Sequence, residues 1–307
     1  MQSHSTAEPS ILSPKILIPF ILLTMIWGTT WIVIRDQLGV VPPSWSVCYR
    51  FLVGGIAMLI YAKVSGANLN IGRSGHMFAI PFGVAQFVLN FNFVYRAEIY
   101  ITSGLVAVVF ALLVVPNAIF GRIFLGQAVT RKFVIGSAIA FGGLALLFLN
   151  EVRADPSSQS ATLIGVGLTL LGVLSASASN LMQATERAKL YPMASVLGWG
   201  MLWGAGINAI IAFSTTGAPV LDMRWAYFGG IAYLGIIASA IAFTLYFGVI
   251  RQIGPAKAAY SSVIIPIIAM LISTVVEGYV WTLLSVSGCA LALAGLVVAL
   301  SARKPST

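Results

Sequence analysis

The two halves of this chain repeat each other at an offset of 150 residues. The recurring pairs are Pro42 and Pro192, Gly54 and Gly204, Gly104 and Gly254, Pro116 and Pro266, and Gln127 and Glu277, followed after a two-residue slip by Gly136 and Gly288 and by Gly143 and Gly295. Each half holds five apolar spans, so the second half enters a membrane upside down. Inverted repeats of this kind are typical of carriers that expose one central site alternately to the two membrane faces.

The composition places the chain in a membrane. It is 59% apolar and 8% charged, whereas a soluble domain is about 25% charged. About 20 apolar residues cross the hydrocarbon core as a helix. The predicted spans are 16–35, 44–62, 76–95, 101–122, 133–150, 162–184, 193–213, 226–249, 256–276 and 281–301. The sequence therefore predicts an all-α polytopic membrane protein with ten transmembrane helices in two inverted five-helix repeats.

The charge distribution predicts the orientation and the domain limits. Twelve of the 17 Lys and Arg residues fall at one set of span ends, which we assign to the cytoplasm. We expect a disordered cytoplasmic tail over 1–15, the first repeat over 16–150 and an outer linker over 151–161. The second repeat follows over 162–301, and a cytoplasmic tail over 302–307. A multi-pass protein of the bacterial inner membrane with both termini in the cytoplasm is expected.

Polar residues inside the spans are the first candidates for substrate contact, because each must face protein or water. Gln86 and Asn90 are four residues apart on one face of the third span. A second polar stripe lies in the sixth span and contains Ser175, Ser179 and Gln183, with Asn180 beside it. Hydrogen bonding between helices is an equally good explanation for each of them.

Aromatic residues supply a second set of candidates. Trp27 and Trp31 are one turn apart in the first span, and Thr30, which parallels Asn180 in the repeat, lies between them. Tyr233, Tyr246 and Tyr260 fall in the eighth and ninth spans. A largely uncharged, aromatic cavity suits an amphipathic or aromatic solute. Packing or lipid contact is the alternative for each ring.

Three further residues are candidates for a hinge or a gate. Pro116 and Pro266 each precede a polar span end by eleven residues, and proline kinks a helix by removing a backbone donor. Static packing kinks are the alternative. Glu277 is either a gate or a boundary residue. Arg50 lies well inside a span. The simpler interpretation is that its side chain snorkels to the headgroups. The alternative is that it binds a carboxylate of the solute or pairs with Asp36.

The absence of certain motifs excludes several classes of protein. The chain contains no phosphate-binding loop, so it carries no ATP motor. No Cys, His and acid cluster is available, and no span carries a buried acidic pair. The sequence therefore predicts no enzyme activity, cofactor or metal. Cys48 and Cys289 are expected to be small buried thiols.

The pattern as a whole resembles a known family. Three motifs together resemble the drug/metabolite transporter superfamily, EamA type. They are Trp27-Gly28-Thr29-Thr30-Trp31 in the first span, Pro116 with Gly126-Gln127, and Pro266 with Glu277-Gly278. The strongest likeness is to its bacterial aromatic amino-acid exporters. The resemblance implies a secondary transporter that exports aromatic or other neutral amino acids and related metabolites by alternating access.

Two alternatives remain at this point. The chain could carry other metabolites or drugs of the same superfamily, or it could be an intramembrane lipid-modifying enzyme. The expected partners are a small-molecule substrate and the lipid bilayer, without nucleic acid. The sequence leaves open whether a proton or another ion is coupled to transport.

Overall fold

A computed structural model describes residues 14–154, 159–246, 249 and 261–301. Its ten long helices are α1 (Pro14–Asp36), α2 (Pro43–Val64), α3 (Gly72–Ala97), α4 (Ser103–Leu125), α5 (Arg131–Ala154), α6 (Gln159–Gln183), α7 (Met193–Thr216), α8 (Trp225–Tyr246), α9 (Ser261–Val276) and α10 (Leu283–Ser301). A single helical turn, Glu186–Lys189, joins α6 to α7. Residues 1–13 and 302–307 of the two predicted tails, residues 155–158 of the predicted linker, and Tyr260 lie outside the described residues.

The helices have the length and composition of membrane spans. Among the described residues, nine helices of at least 18 residues are apolar enough to cross a membrane, and α9 is a tenth apolar helix whose described part has 16 residues. Large apolar side chains such as Ile60, Ile210 and Phe213 are exposed on the outside of the bundle. Lipid would cover these faces, because water would not tolerate so much exposed apolar surface. The predicted fold of ten helices in two inverted repeats is confirmed.

Helix packing follows the two-fold symmetry of the repeats. Helix α1 packs against α9 as α6 packs against α4, and α2 packs against α8 as α7 packs against α3. Among the described residues, three pairs join equivalent helices of the two repeats: α2 with α7, α4 with α9, and α5 with α10. The recurring prolines mark equivalent helix starts, since Pro42 is the N-cap of α2 and Pro192 the N-cap of α7.

Glycines let α5 and α10 approach until their backbones touch. A Cβ atom added to Gly143 would lie 2.3 Å from the backbone nitrogen of Ala292, and one added to Gly295 would lie 2.3 Å from that of Ala140. Small residues that bring backbones together are the usual means of helix association in membranes. The recurrence of Gly136 and Gly143 as Gly288 and Gly295 therefore reflects one packing surface, to which both repeats contribute.

Two π-helical segments occupy equivalent positions in α3 and α8. They are Val84–Asn90 and Tyr233–Ile241, in the third helix of each repeat. In the second segment the hydroxyl of Ser239 donates to the carbonyl of Leu234, five residues earlier, at 2.7 Å. A π-helical turn changes which side chains share a face and often marks a functional site. Neither segment was predicted from the sequence.

The two internal prolines lie in different local structures. In α4 a 3₁₀ turn, Ala111–Leu113, interrupts the helix just before Pro116, where the proline removes a backbone donor. Helix α9 continues without interruption from Ser261 past Pro266 to Val276. Within the described residues, the paired kinks expected from the sequence therefore do not share one geometry.

Candidate functional site

A cavity lies in the middle of the bundle, with walls from both repeats. Its volume is about 140 Å³, close to that of cavities which hold one benzene-sized molecule. The side chains with polar atoms that line it are Trp27, Thr30, Trp31, Arg50, Gln86, Asn90, Asn117, Asn180, Tyr246, Ser261 and Ser262. Phe91, Phe110, Phe243 and Pro266 are among the apolar lining residues. A site at the junction of two inverted repeats is where carriers of this architecture bind their substrates.

Aromatic rings form one wall of the cavity. The Trp27 ring lies 5.0 Å from the Tyr246 ring and 5.5 Å from the Phe243 ring, measured between centroids. The Trp27 indole N–H donates to the carbonyl of Ala238 at 3.2 Å, which fixes its plane. One turn further along α1, the Trp31 ring lies 5.5 Å from the Phe110 ring. These rings offer a rigid apolar surface to a solute.

Amide side chains form another part of the wall. Gln86 and Asn90 both belong to the π-helical segment of α3, and both are buried. The Asn180 amide donates to the Asn117 side-chain oxygen at 3.4 Å, which links α6 to α4 at the cavity surface. The Oδ1 atom of Asn90 is buried without a hydrogen-bond partner among the described residues. The wall therefore supplies both donors and acceptors to a polar solute.

Among the described residues, Arg50 is the one cationic residue that lines this cavity, and it is only 1% exposed. Its guanidinium carbon lies 4.3 Å from the centre of the Phe91 ring, and its Nε donates to the Ser239 hydroxyl at 3.2 Å. The π-helical segment of α8 positions that hydroxyl. Snorkelling, the simpler reading of Arg50 from the sequence, is therefore wrong, because the guanidinium lies inside the protein. The pairing with Asp36 is also absent, since Asp36 pairs with Arg224.

Contacts between the repeats close the bundle at the end where α1 finishes, the Asp36 end. The Glu277 carboxylate accepts from the backbone N–H of Ser103 at 3.2 Å and from its hydroxyl at 2.5 Å. Ser103 is the first residue of α4, so Glu277 from the second repeat caps a helix of the first. A carboxylate at a helix N-terminus is favourable, because it satisfies free N–H groups and opposes the helix dipole. Arg35 lies 3.6 Å from the same carboxylate.

A second acid lies close to this closure. Glu98 follows directly after α3, outside the span, and is 0% exposed, with both carboxylate oxygens unpartnered among the described residues. Burial, and secondly the charge of Glu277, raise the pKa of Glu98 well above its usual range, although Arg35 and Arg50 oppose the shift. Glu277 was predicted as a gate or boundary residue, whereas Glu98 was not singled out as a site residue.

The structure brings together only part of the set predicted from the sequence. The predicted residues that line the cavity are Trp27, Thr30, Trp31, Gln86, Asn90, Asn180, Tyr246 and Pro266. The predicted residues that do not line it are Ser175, Ser179, Gln183, Tyr233, Pro116 and Glu277. Whether the lining residues bind substrate stays a prediction.

The residues away from the cavity have structural partners or other positions. The Ser179 hydroxyl donates to the Gln86 side-chain oxygen, and the Ser175 hydroxyl donates to the carbonyl of Leu171 at 2.9 Å. Tyr233 shares a 2.6 Å hydrogen bond with Thr29, which ties α8 to α1. Helix-to-helix bonding is therefore the better explanation for Ser179 and Tyr233. Gln183 is partly buried near the end of α6.

Several lining residues were not predicted from the sequence. Asn117 follows Pro116 directly, and a polar residue beside a helix break could have indicated it. Phe110 and Phe243 resemble any other apolar residue of a span. Arg50 was weighed as a carboxylate clamp, and its isolation inside a span was the available signal.

Comparison with known proteins agrees with this architecture. Salmonella typhimurium PagO is 25% identical over 86% of this chain and 86% of its own length. Escherichia coli YedA, an uncharacterized inner membrane transporter, is 28% identical over 83% of this chain and 81% of its own. A Streptantibioticus cattleyicolor protein named as a probable terminal-alkyne amino-acid exporter is 24% identical over 91% of both chains.

The fold is shared with a solved crystal structure. It superposes with a TM-score of 0.67 at 18% identity and covers 92% of this chain and 95% of its own. The model of the EamA-like transporter family matches residues 15–149 and again 163–301. The two matched segments each span one five-helix repeat. With both repeats matched, the chain belongs to the EamA-like transporter family.

Proposed function

We propose that this protein is a secondary carrier that exports a small organic solute by alternating access. Its substrates would be aromatic or other neutral amino acids and related metabolites. The observation that carries this proposal is the central cavity, walled by aromatic rings, amides and one buried cation and closed at the Asp36 end by bonds between the repeats. A solute held there would be released when Glu277 leaves the N-terminus of α4.

The proposed export direction comes from the resemblance to exporters, and the orientation of the cavity fits it. We assign both termini to the cytoplasm, because basic residues concentrate at that set of span ends. The repeats 16–150 and 162–301 then meet at a site closed toward the periplasm. Asn117, Asn180 and Tyr246 lie on the cytoplasmic side of that site, where an exporter loads its substrate. The amino-acid exporter among the relatives supports the substrate class.

Counterflow in proteoliposomes tests the proposal. Vesicles containing the purified protein are loaded with an unlabelled neutral amino acid, and the uptake of the same labelled amino acid is followed. A carrier is expected to give saturable uptake and a transient accumulation of label that depends on the internal solute. A screen of the neutral amino acids would identify the preferred substrates.

Two controls make the result decisive. Empty liposomes report leakage, and vesicles without internal solute report simple entry. Flux that rises linearly with concentration and shows no counterflow would mean a channel. The absence of protein-dependent flux for every amino acid tested would reject the proposed substrate class.

A further inference from the structure

Two hydrogen-bond donors at the cavity lack acceptors. The Nη1 atom of Arg50 and the Nε1 atom of Trp31 are buried, and neither has a partner among the described residues. Arg50 is 1% exposed and Trp31 9% exposed, and both line the cavity. A buried donor without an acceptor costs free energy, and the cost is larger when the donor is charged. The cavity therefore has a place where an acceptor with negative charge would be stabilised.

The charge of Arg50 is also incompletely balanced. None of the ion pairs found among the described residues includes it. Its partners are the neutral Ser239 hydroxyl and the Phe91 and Phe51 rings. Glu98 is the acid whose charge reaches it, and the environment of Glu98 favours the neutral form.

A bound solute would have a defined direction in the cavity. Trp31 lies one turn closer to the Asp36 end than Trp27. Arg50 lies in the first half of α2, which begins at the Asp36 end, so both unpartnered donors are toward the closed end. The Trp27, Phe243 and Tyr246 rings lie toward the opposite end. An anionic group at the first position and an apolar group at the second would match the two parts of the cavity.

We propose that Arg50 and the indole N–H of Trp31 bind the carboxylate of the transported solute, whose apolar part lies against the Trp27 and Tyr246 rings. This inference rests on the proposed carrier function and narrows its substrates to carboxylates. A guanidinium pairs with a carboxylate through short, charge-assisted hydrogen bonds. A solute with the same body and no carboxylate would leave the buried cation unpaired and would bind more weakly.

Matched ligand pairs test the proposal on the wild-type protein. The pairs are phenylalanine with phenethylamine, leucine with isopentylamine, and alanine with ethylamine. Binding is measured as the ligand-dependent rise in Tm of the purified protein, which follows the dissociation constant. The amino acid of at least one pair is expected to bind about 10- to 100-fold more tightly than its amine.

Substitutions then assign the preference to Arg50. Arg50→Gln is expected to remove the preference for the carboxylate, and Arg50→Lys to keep the preference at lower affinity. Trp31→Phe keeps an aromatic ring but removes the indole N–H donor, and it should weaken carboxylate binding by about 2- to 10-fold. The control is Arg96→Gln, which makes the same charge change on α3 at a residue outside the cavity and should leave the preference unchanged.

The outcomes separate this proposal from the carrier function. Equal binding of acids and amines by the wild type, or an unchanged preference in folded Arg50→Gln, would overturn the carboxylate site. If Arg50→Gln does not fold, loss of the preference in Trp31→Phe and its retention in Arg50→Lys still support the site. Counterflow of a solute without a carboxylate would overturn the site and leave the carrier function intact. The absence of counterflow for any solute would instead reject the carrier function.

Discussion

Joining Ser103 to Glu277 is expected to stop transport almost completely. Replacing both residues by cysteine and linking them with a short bifunctional thiol reagent would hold α4 and α9 together at the Asp36 end. In the native chain these residues are joined by a 2.5 Å hydrogen bond, so the link would preserve the closed state. A carrier that cannot open one end cannot complete its cycle, and counterflow should fall by about tenfold or more.

The background for this experiment is a chain without native thiols. Cys48 and Cys289 are both free and buried, and serine replacements would prevent side reactions. Each single cysteine variant, treated with the same reagent, is the control for modification without a link. Full transport by protein that is linked to completion would mean that the Asp36 end does not open in the cycle.

The substitution Gly143→Val is expected to lower the free energy of unfolding more than any of the other substitutions described above. A Cβ at this position would lie 2.3 Å from the Ala292 nitrogen and 2.5 Å from the Gly288 oxygen, both backbone atoms that cannot rotate away. Helices α5 and α10 would have to separate along their whole contact. Overpacking of this kind costs about 3 kcal/mol, which corresponds to a Tm lower by about 6–12 °C.

The neighbouring Gly142 provides the control. A Cβ there would meet only the Leu291 side chain, at an ordinary 3.7 Å. Gly142→Val makes the same chemical change one residue away, and its Tm should stay close to that of the wild type. The two variants are compared by thermal unfolding in one detergent. Equal Tm values for the two variants would contradict the packing of α5 against α10.

Apolar length and composition were sufficient to predict the fold. The predicted span 44–62 corresponds to Pro43–Val64, and the predicted span 226–249 to Trp225–Tyr246. Such spans can be predicted because a membrane leaves a buried backbone almost no choice but a helix. The glycine repeats were visible for a related reason, since only glycine allows two backbones to touch.

The cavity was harder to predict, because its surface depends on contacts between distant helices. From the sequence alone Gln86 and Ser179 had equal weight, and only the packing of α3 on α6 shows that the Ser179 hydroxyl donates to Gln86. Arg50 could not be assigned because a cation six residues from a span end can either snorkel or turn inward. The π-helical segments left no pattern in the sequence, since no residue type specifies them.

The most direct test of alternating access is the accessibility of the cavity from each membrane face. A cysteine replacing Ala111, which lines the cavity on α4, is labelled with a membrane-impermeant maleimide in right-side-out and in inside-out vesicles. The unlinked carrier should be labelled from either face, and a substrate should slow the reaction. The Asp36 end is then held closed by a disulfide between cysteines at positions 103 and 277, formed beforehand by mild oxidation so that the cysteine at position 111 stays a free thiol. In that protein, labelling should persist from the cytoplasmic face and disappear from the periplasmic face. Labelling of the linked protein from the periplasmic face would contradict the account.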